Sequence, residues 1–487
     1  MTLHVGTVTL EDKFTAERGR VYITGIQALV RISLDQIRRD RAAGHRTAGF
    51  WSGYRGSPLG GVDQELMRAK RHLAAHDVVF TPGVNEELGA TAVWGTQKVG
   101  LHGKGSTHEG VFGIWYGKAP GVDRAGDVLK QANASGTAAL GGVLALAGDD
   151  PLAKSSILPA QSDFAFLHFE MPFFNPADLQ DVLDHGLHAI ALSRYAGLWS
   201  GMICLADTMD ASGMVAVDPD RLRIAMPPEF DPRREADINR VLLLGNRLET
   251  ERILRDVKLP AVGAYQRANR LDRHAFGARR PRYGVVAAGK AYRDLRQALD
   301  LLGVDERRAR ELGLAVYKVA MPWPLEPAGL GEFARGLERM LVVEHKRPFL
   351  EPQIKEQLYG WPADARPRIW GKRTPEGSPF LSDLLELKPQ DIVEALMGFV
   401  PEIAEDPQVR RVAERMVMQS AWAAGHAEGG QRTAYFCAGC PHSTSTKVPD
   451  GARALPGIGC HAMTEINERT TDGQIALGGE GVTRVGQ

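Results

Sequence analysis

The 487-residue chain carries 59 Lys+Arg against 59 Asp+Glu, so its formal charge is zero and no basic excess argues for a nucleic-acid or anionic-membrane surface. At roughly 150 residues per domain the length predicts about three domains, and it excludes a peptide, a disulfide scaffold or a lone binding module. Hydrophobic residues at 44% and charged ones at 24% are ordinary for a globular protein, whereas 54 glycines predict many backbone-driven turns and ligand loops.

Met1 to Phe14 already holds Glu11, Asp12 and Lys13, which is no apolar signal-peptide core. Gly136 to Gly148, the longest nearly uncharged apolar stretch, is shorter than the ~18 residues of a membrane-spanning helix. The expectation is a cytoplasmic protein with no membrane or nucleic-acid partner. Ile26, Leu29, Val30, Leu34 and Ile37 fall near one helical face and predict an amphipathic surface helix over 26–40. Apolar, β-prone runs then end in Gly-rich turns at 49–61, 78–83 and 141–151, with helical patterns such as 62–73 between them. Strands alternating with helices predict a parallel α/β sheet over 1–232, whose ligands sit at the carboxyl ends of the strands. Residues 233–282 are charged and helix-prone and read as a linker. A second α/β pattern over 283–400 predicts a separate small parallel-sheet domain with right-handed crossovers. From 401 onward a charged helix leads into Cys437-Ala-Gly-Cys440.

The turns after those strands carry the candidate chemistry. Gly53-Tyr54-Arg55-Gly56-Ser57-Pro58 offers amides and a hydroxyl that could hold an oxyanion, or it is only a turn. Asn85-Glu86-Glu87 opens a small-residue helix over 88–100; Glu86 is a candidate general acid/base, with a helix-N-terminal carboxylate facing the macrodipole as the alternative. The stretch 108–117, with Lys118 and Arg124 after it, reads as a long Gly-rich loop suited to a planar anion. Trp94, Phe112, Trp115 and Tyr116 either line an aromatic pocket or pack the core. Gly148-Asp149-Asp150 with Asn175 imitates a Mg²⁺-diphosphate motif, but Pro151 and the lack of a clean following helix speak against it.

Cys437, Cys440 and Cys460 crowd one short segment, while Cys204 lies in an apolar strand as a buried, inert thiol. Two thiolates from a CxxC turn and a third nearby make an iron–sulfur cluster the leading reading. A zinc site completed by His461 or His442, a thiol redox pair and an unmetallated turn are the alternatives.

Together, GYRGSP, NEE with Gly95 beyond it, GVVAAG through VVEHKRPFLEPQ (284–353), CAGCPH and GIGC resemble the 2-oxoacid:ferredoxin oxidoreductases. The likeness is closest to the indolepyruvate ferredoxin oxidoreductase branch in its fused single-chain form. The resemblance implies a thiamine-pyrimidine domain, a transketolase-C-like domain and the start of a thiamine diphosphate-binding domain. It implies oxidative decarboxylation of a 2-oxoacid, an arylpyruvate such as indolepyruvate, with coenzyme A as acyl acceptor and ferredoxin as electron acceptor. Thiamine diphosphate, Mg²⁺ and a [4Fe–4S] cluster are the implied cofactors, and a homodimer the implied assembly. Carried over by residue, Glu86 holds N1′ of the aminopyrimidine and favours the imino tautomer. Ser57 stands where relatives carry Thr near the substrate, and Gly53, Tyr54, Gly56, Pro58 and Asn85 shape the same site. Cys437, Cys440 and Cys460 match three cluster ligands. Relatives place a Gly-Asp-Gly-type motif beyond LGGEGV (477–482), so the chain reads as truncated at its C-terminus and inactive alone, without the fourth cluster ligand. A non-redox thiamine decarboxylase or transketolase relative, and a non-catalytic zinc-bearing assembly subunit, are the competing readings.

Overall fold

A computed structural model describes residues 8–101, 105–426, 434–470, 473–474 and 478–486, so Met1 to Thr7 and Leu477 of LGGEGV lie outside the described residues. The chain divides into two compact units, Met1–Val412 and Ala413–Gln487.

The first unit is α/β throughout. An antiparallel ribbon pairs β1 (Arg20–Thr24) with β8 (Ser212–Ala216). Between them, β2 (Thr47–Gly53), β3 (Val78–Phe80), β4 (Gly110–Lys118), β5 (Val143–Asp149), β6 (Phe173–Phe174) and β7 (Ser200–Leu205) form one parallel sheet ordered β3-β2-β4-β5-β7-β6. Every residue of β5 is buried, because helices cover both faces of a parallel sheet and alternation between core and solvent disappears. The amphipathic helix expected over 26–40 is Gly25–Ala42. A capping box between Thr24 and Gln27 starts it, and it is buried deeply enough to take in Arg31, which bonds Asp35 and the carbonyls of Lys13 and Ala16.

The sequence places a loop at 108–117, and the structure corrects this: Gly110–Lys118 is the strand β4, in the middle of the sheet. Its glycines look like loop residues but serve close packing. A Cβ on Gly113 would lie 2.6 Å from Val93 Cγ1, and one on Gly110 would meet the Leu140 backbone. Phe112, Trp115 and Tyr116 are fully buried core residues, so for these three the packing alternative holds.

The second sheet takes in β9 (Arg273–Gly277), β10 (Tyr283–Ala288), β11 (Leu314–Val319), β12 (Arg339–Val343) and β13 (Arg368–Trp370) in the order β13-β12-β10-β11-β9. All pairs are parallel except β9, which joins the edge antiparallel to β11. The two sheets are tied by a buried Lys318–Asp181 ion pair at 2.6 Å and by backbone bonds from Phe173 to Trp323 and from Asn175 to Ala320. Among the described residues no helix is long and apolar enough to cross a membrane.

His185 and His188, on the helix Leu179–Ala196, are both buried, and burial pushes their imidazoles down to about 4 and about 3. Both values lie below the ordinary 6.5, so the unfolded chain binds more protons than the fold. The stabilisation they bring is complete above pH 6.5 and is lost as pH falls through the folded values. Denaturant titrations should therefore show stability dropping steeply below that pH, by a few kcal/mol in order of magnitude. His188→Gln, which keeps a partner for the Tyr265 hydroxyl, should flatten this limb, and an unchanged slope would count against the assignment.

Candidate functional site

Three glycines bring the two sequence-predicted turns together. The Gly83 N–H donates to the Gly53 carbonyl at 2.9 Å, and the Tyr54 N–H to the Tyr116 carbonyl at 3.0 Å. A Cβ on Gly89 would lie 2.9 Å from Gly53 Cα, and one on Gly83 would lie 3.1 Å from Gly89 Cα. Backbone therefore packs on backbone, and the end of β2, the 81–85 turn and the helix Glu86–Thr96 meet at one point. Asn85 caps that helix by accepting the Leu88 N–H at 2.8 Å.

The adjacent acids part company here. Glu87 is exposed, whereas Glu86 is 3% exposed and turns inward. The Trp115 indole N–H donates to the Glu86 backbone carbonyl at 2.9 Å and fixes the start of the helix over β4. The Glu86 side chain lies over the bare Cα of Gly121, in the helix Ala119–Arg124; a Cβ there would sit 2.7 Å from Glu86 Oε1 and would also overlap Cγ. Among the described residues its carboxylate makes no hydrogen bond or ion pair. A buried carboxylate at a strand-to-helix turn, set among glycines and free of protein partners, is equipped to bind a hydrogen-bond donor brought by a ligand. Gly121 was not singled out from the sequence, since nothing local marks a residue whose partner lies so far along the chain.

The 53–58 turn divides in the same way. Gly53 and Pro58 are buried, Gly56 is half-buried, and Tyr54 (38% exposed), Arg55 and Ser57 are open. Pro58 packs on Gly148 at the end of β5 and the Lys118 stem packs on Gly56, so the turn lies across the carboxyl ends of three adjacent strands. The Lys118 ammonium is held by the Ser155 carbonyl and Arg124 is exposed. Trp94 is half-buried, with Lys98 over its ring at 4.8 Å.

Asp149 and Asn175 do not form a magnesium site. Both Asp149 oxygens accept from Ser162, by its N–H at 2.8 Å and by its hydroxyl, and burial raises this carboxyl to about 6. Asn175 Oδ1 faces Gly289 and has no hydrogen-bond partner among the described residues. Nearby Asp163 is pushed up to about 7 by burial, reinforced by the charges of Asp149 and Glu344.

In the second unit the Cys440 N–H donates to the Cys437 carbonyl at 3.0 Å, closing the CxxC turn. Cys440 Sγ lies 3.3 Å from His442 Nδ1, the His442 ring stacks on Phe436, and the Gly457 N–H donates to His461 Nδ1 at 2.5 Å. Cys437 and Cys460 are exposed. Among the described residues no three His, Cys, Asp or Glu side chains form a group that could hold a metal ion. The sequence spacing suggested a metal centre; among the described residues the three thiols are not gathered into one. Cys204 is buried on β7 with its thiol pushed up by burial, as expected of an inert core cysteine.

Residues 273–422 match the family model of the indolepyruvate oxidoreductase domain. The indolepyruvate oxidoreductase subunit IorA of Methanothermobacter thermautotrophicus is 26% identical over 355 residues, covering 71% of this chain and 50% of the relative. The IorA of Archaeoglobus fulgidus is 23% identical over 462 residues, 92% of this chain and 64% of the relative. The chain thus spans about half to two-thirds of the length of these relatives. A solved 2-oxoglutarate:ferredoxin oxidoreductase from Magnetococcus marinus, 13% identical, superposes with a TM-score of 0.55 over 79% of this chain and 66% of that one, which shows a shared fold. Together these matches support the indolepyruvate/2-oxoacid ferredoxin oxidoreductase family as the one this chain is similar to.

Proposed function

We propose that this chain supplies the pyrimidine-side half of a thiamine diphosphate site in an enzyme that oxidatively decarboxylates a 2-oxoacid. The substrate is an arylpyruvate such as indolepyruvate, with coenzyme A taking the acyl group and ferredoxin the electrons. The observation that carries this is Glu86, buried at a helix start with a carboxylate that makes no hydrogen bond or ion pair among the described residues. Bound there, the coenzyme would supply the carbon nucleophile that attacks the 2-oxo group. Glu86 would hold a proton shared with the aminopyrimidine ring, and its carboxylate is the general acid/base. Gly53 and Gly89 let backbone pack on backbone beside the turn, Gly121 lets the Glu86 side chain rest on bare Cα, and Asn85 keeps the helix start in place. Tyr54, Gly56, Ser57 and Pro58 form the open turn beside it, where the Ser57 hydroxyl is available to a substrate oxygen. A homodimer is part of the proposal.

The test is turnover by the protein purified anaerobically with any chains that accompany it. Arylpyruvate-dependent viologen reduction that requires coenzyme A and thiamine diphosphate is expected; carbon dioxide release without electron transfer would favour a non-redox decarboxylase. The spacing of Cys437, Cys440 and Cys460 supports a metal centre. Iron with sulfide is the expected result of elemental analysis, while zinc without either would favour an assembly role.

A further inference from the structure

A pocket lies away from the Glu86 turn, in the crevice between the helix Leu179–Ala196 and the segment that enters the second sheet at Asn269–Arg273. Its volume is about 440 Å³ and its walls are polar. Asp181, Asp184, His185 and His188 line one side, at the spacing of a single helical face. Each carboxylate facing the pocket already has its cation: Asp181 holds Lys318 at 2.6 Å, Asp184 holds Arg221, and Asp220 holds Arg18 at 3.0 Å. Arg223, Arg270 and Arg273 also line the pocket, and among the described residues none of the three makes a side-chain hydrogen bond or ion pair. His185 adds a second, independent feature. It is 5% exposed, and among the described residues its buried Nδ1 has no hydrogen-bond partner. Lys318 bonds Asp181 Oδ2 at 2.6 Å, and His185 Nε2 lies 3.9 Å from Oδ1, beyond hydrogen-bond distance, so the neutral ring can carry its proton on either nitrogen. An unsatisfied buried imidazole in a native fold calls for a ligand or a water, and an uncommitted guanidinium trio sets the charge of that ligand.

We propose that this crevice binds the phosphate group of a small ligand, with Arg223, Arg270 and Arg273 as the charged donors and His185 as a neutral one. Guanidinium forks match phosphate oxygens in pairs, and Arg223, Arg270 and Arg273 are exposed, so a phosphate from solution can reach them. Chloride and simple carboxylates lack the oxygens to engage three forks. The pocket is separate from the proposed coenzyme site, so the two readings can fail independently.

The experiment is isothermal titration of the full chain with inorganic pyrophosphate at fixed ionic strength. Saturable binding to one site is expected. The Arg223→Ala/Arg270→Ala/Arg273→Ala variant should weaken it by about tenfold or more, and His185→Phe by less. Arg335→Ala, which removes an exposed charge elsewhere, and Glu86→Gln should bind as the wild type does. Circular dichroism on each variant separates loss of binding from loss of fold. Absence of saturable binding, or a folded triple variant that binds like the wild type, overturns the proposal.

Discussion

Glu86→Gln is expected to lower turnover by about 10²–10⁴-fold, the range of a lost general acid/base, while leaving the fold intact. The substitution preserves volume, removes the charge and the acid/base function, and exchanges one acceptor oxygen for an NH2 donor. Because the carboxylate has no partner among the described residues, the amide orphans no donor, and stability should stay within about 0.5 kcal/mol of wild type. The loss should fall on kcat rather than on KM for the 2-oxoacid, since Glu86 would touch the coenzyme and not the substrate. Steady-state viologen reduction alongside denaturant titration makes the check. A variant that keeps turnover within about threefold would remove Glu86 from the chemistry and leave it as a helix-terminal carboxylate.

Gly121→Ala should produce the largest stability change at the site, with a sign opposite to intrinsic preference. In a helix interior, Gly to Ala ordinarily gains about 0.8–1 kcal/mol. Here the new methyl would lie 2.7 Å from Glu86 Oε1 and 2.8 Å from Cδ, and Gly117 holds the same side chain from below with its Cβ position 3.4 Å from Cγ. Glu86 cannot yield without leaving its buried position, so overpacking of about 1–3 kcal/mol should outweigh the helix gain. Turnover should fall with it. The double variant Gly121→Ala/Glu86→Ala should recover most of the stability and none of the activity, a coupling that two unrelated defects would not show. A Gly121→Ala protein as stable and as active as wild type would mean that Glu86 does not rest where the structure puts it.

The order of strands and helices was legible in the sequence because each element announces itself locally, through apolar runs ending in Gly-rich turns and through capping residues such as Thr24 and Asn85. The error at Gly110–Lys118 has a physical cause. Gly110, Gly113 and Gly117 suggest a loop when read along the chain, but Leu140 and Val93 press on the first two from elsewhere in the fold, and the ring of Trp115 on the same strand lies against the third. The candidate acid was likewise visible at residue 86, yet its environment was not. Nothing near position 86 shows that Gly121 and Trp115 surround it, and nothing near 149 shows that Ser162 takes both of that carboxylate's oxygens.

What the sequence determined by itself was therefore the class of architecture, the two turns and the motif order that marks the family, all properties of residues close in the chain. Only the tertiary structure decided that Glu86 is buried and Glu87 is not, that the glycines of β4 sit inside a sheet, that the three cysteines belong to no assembled metal-holding group among the described residues, and that three arginines gather unpaired in one crevice. Burial and long-range contact fix these, and both are set by parts of the chain that lie far apart until the protein folds.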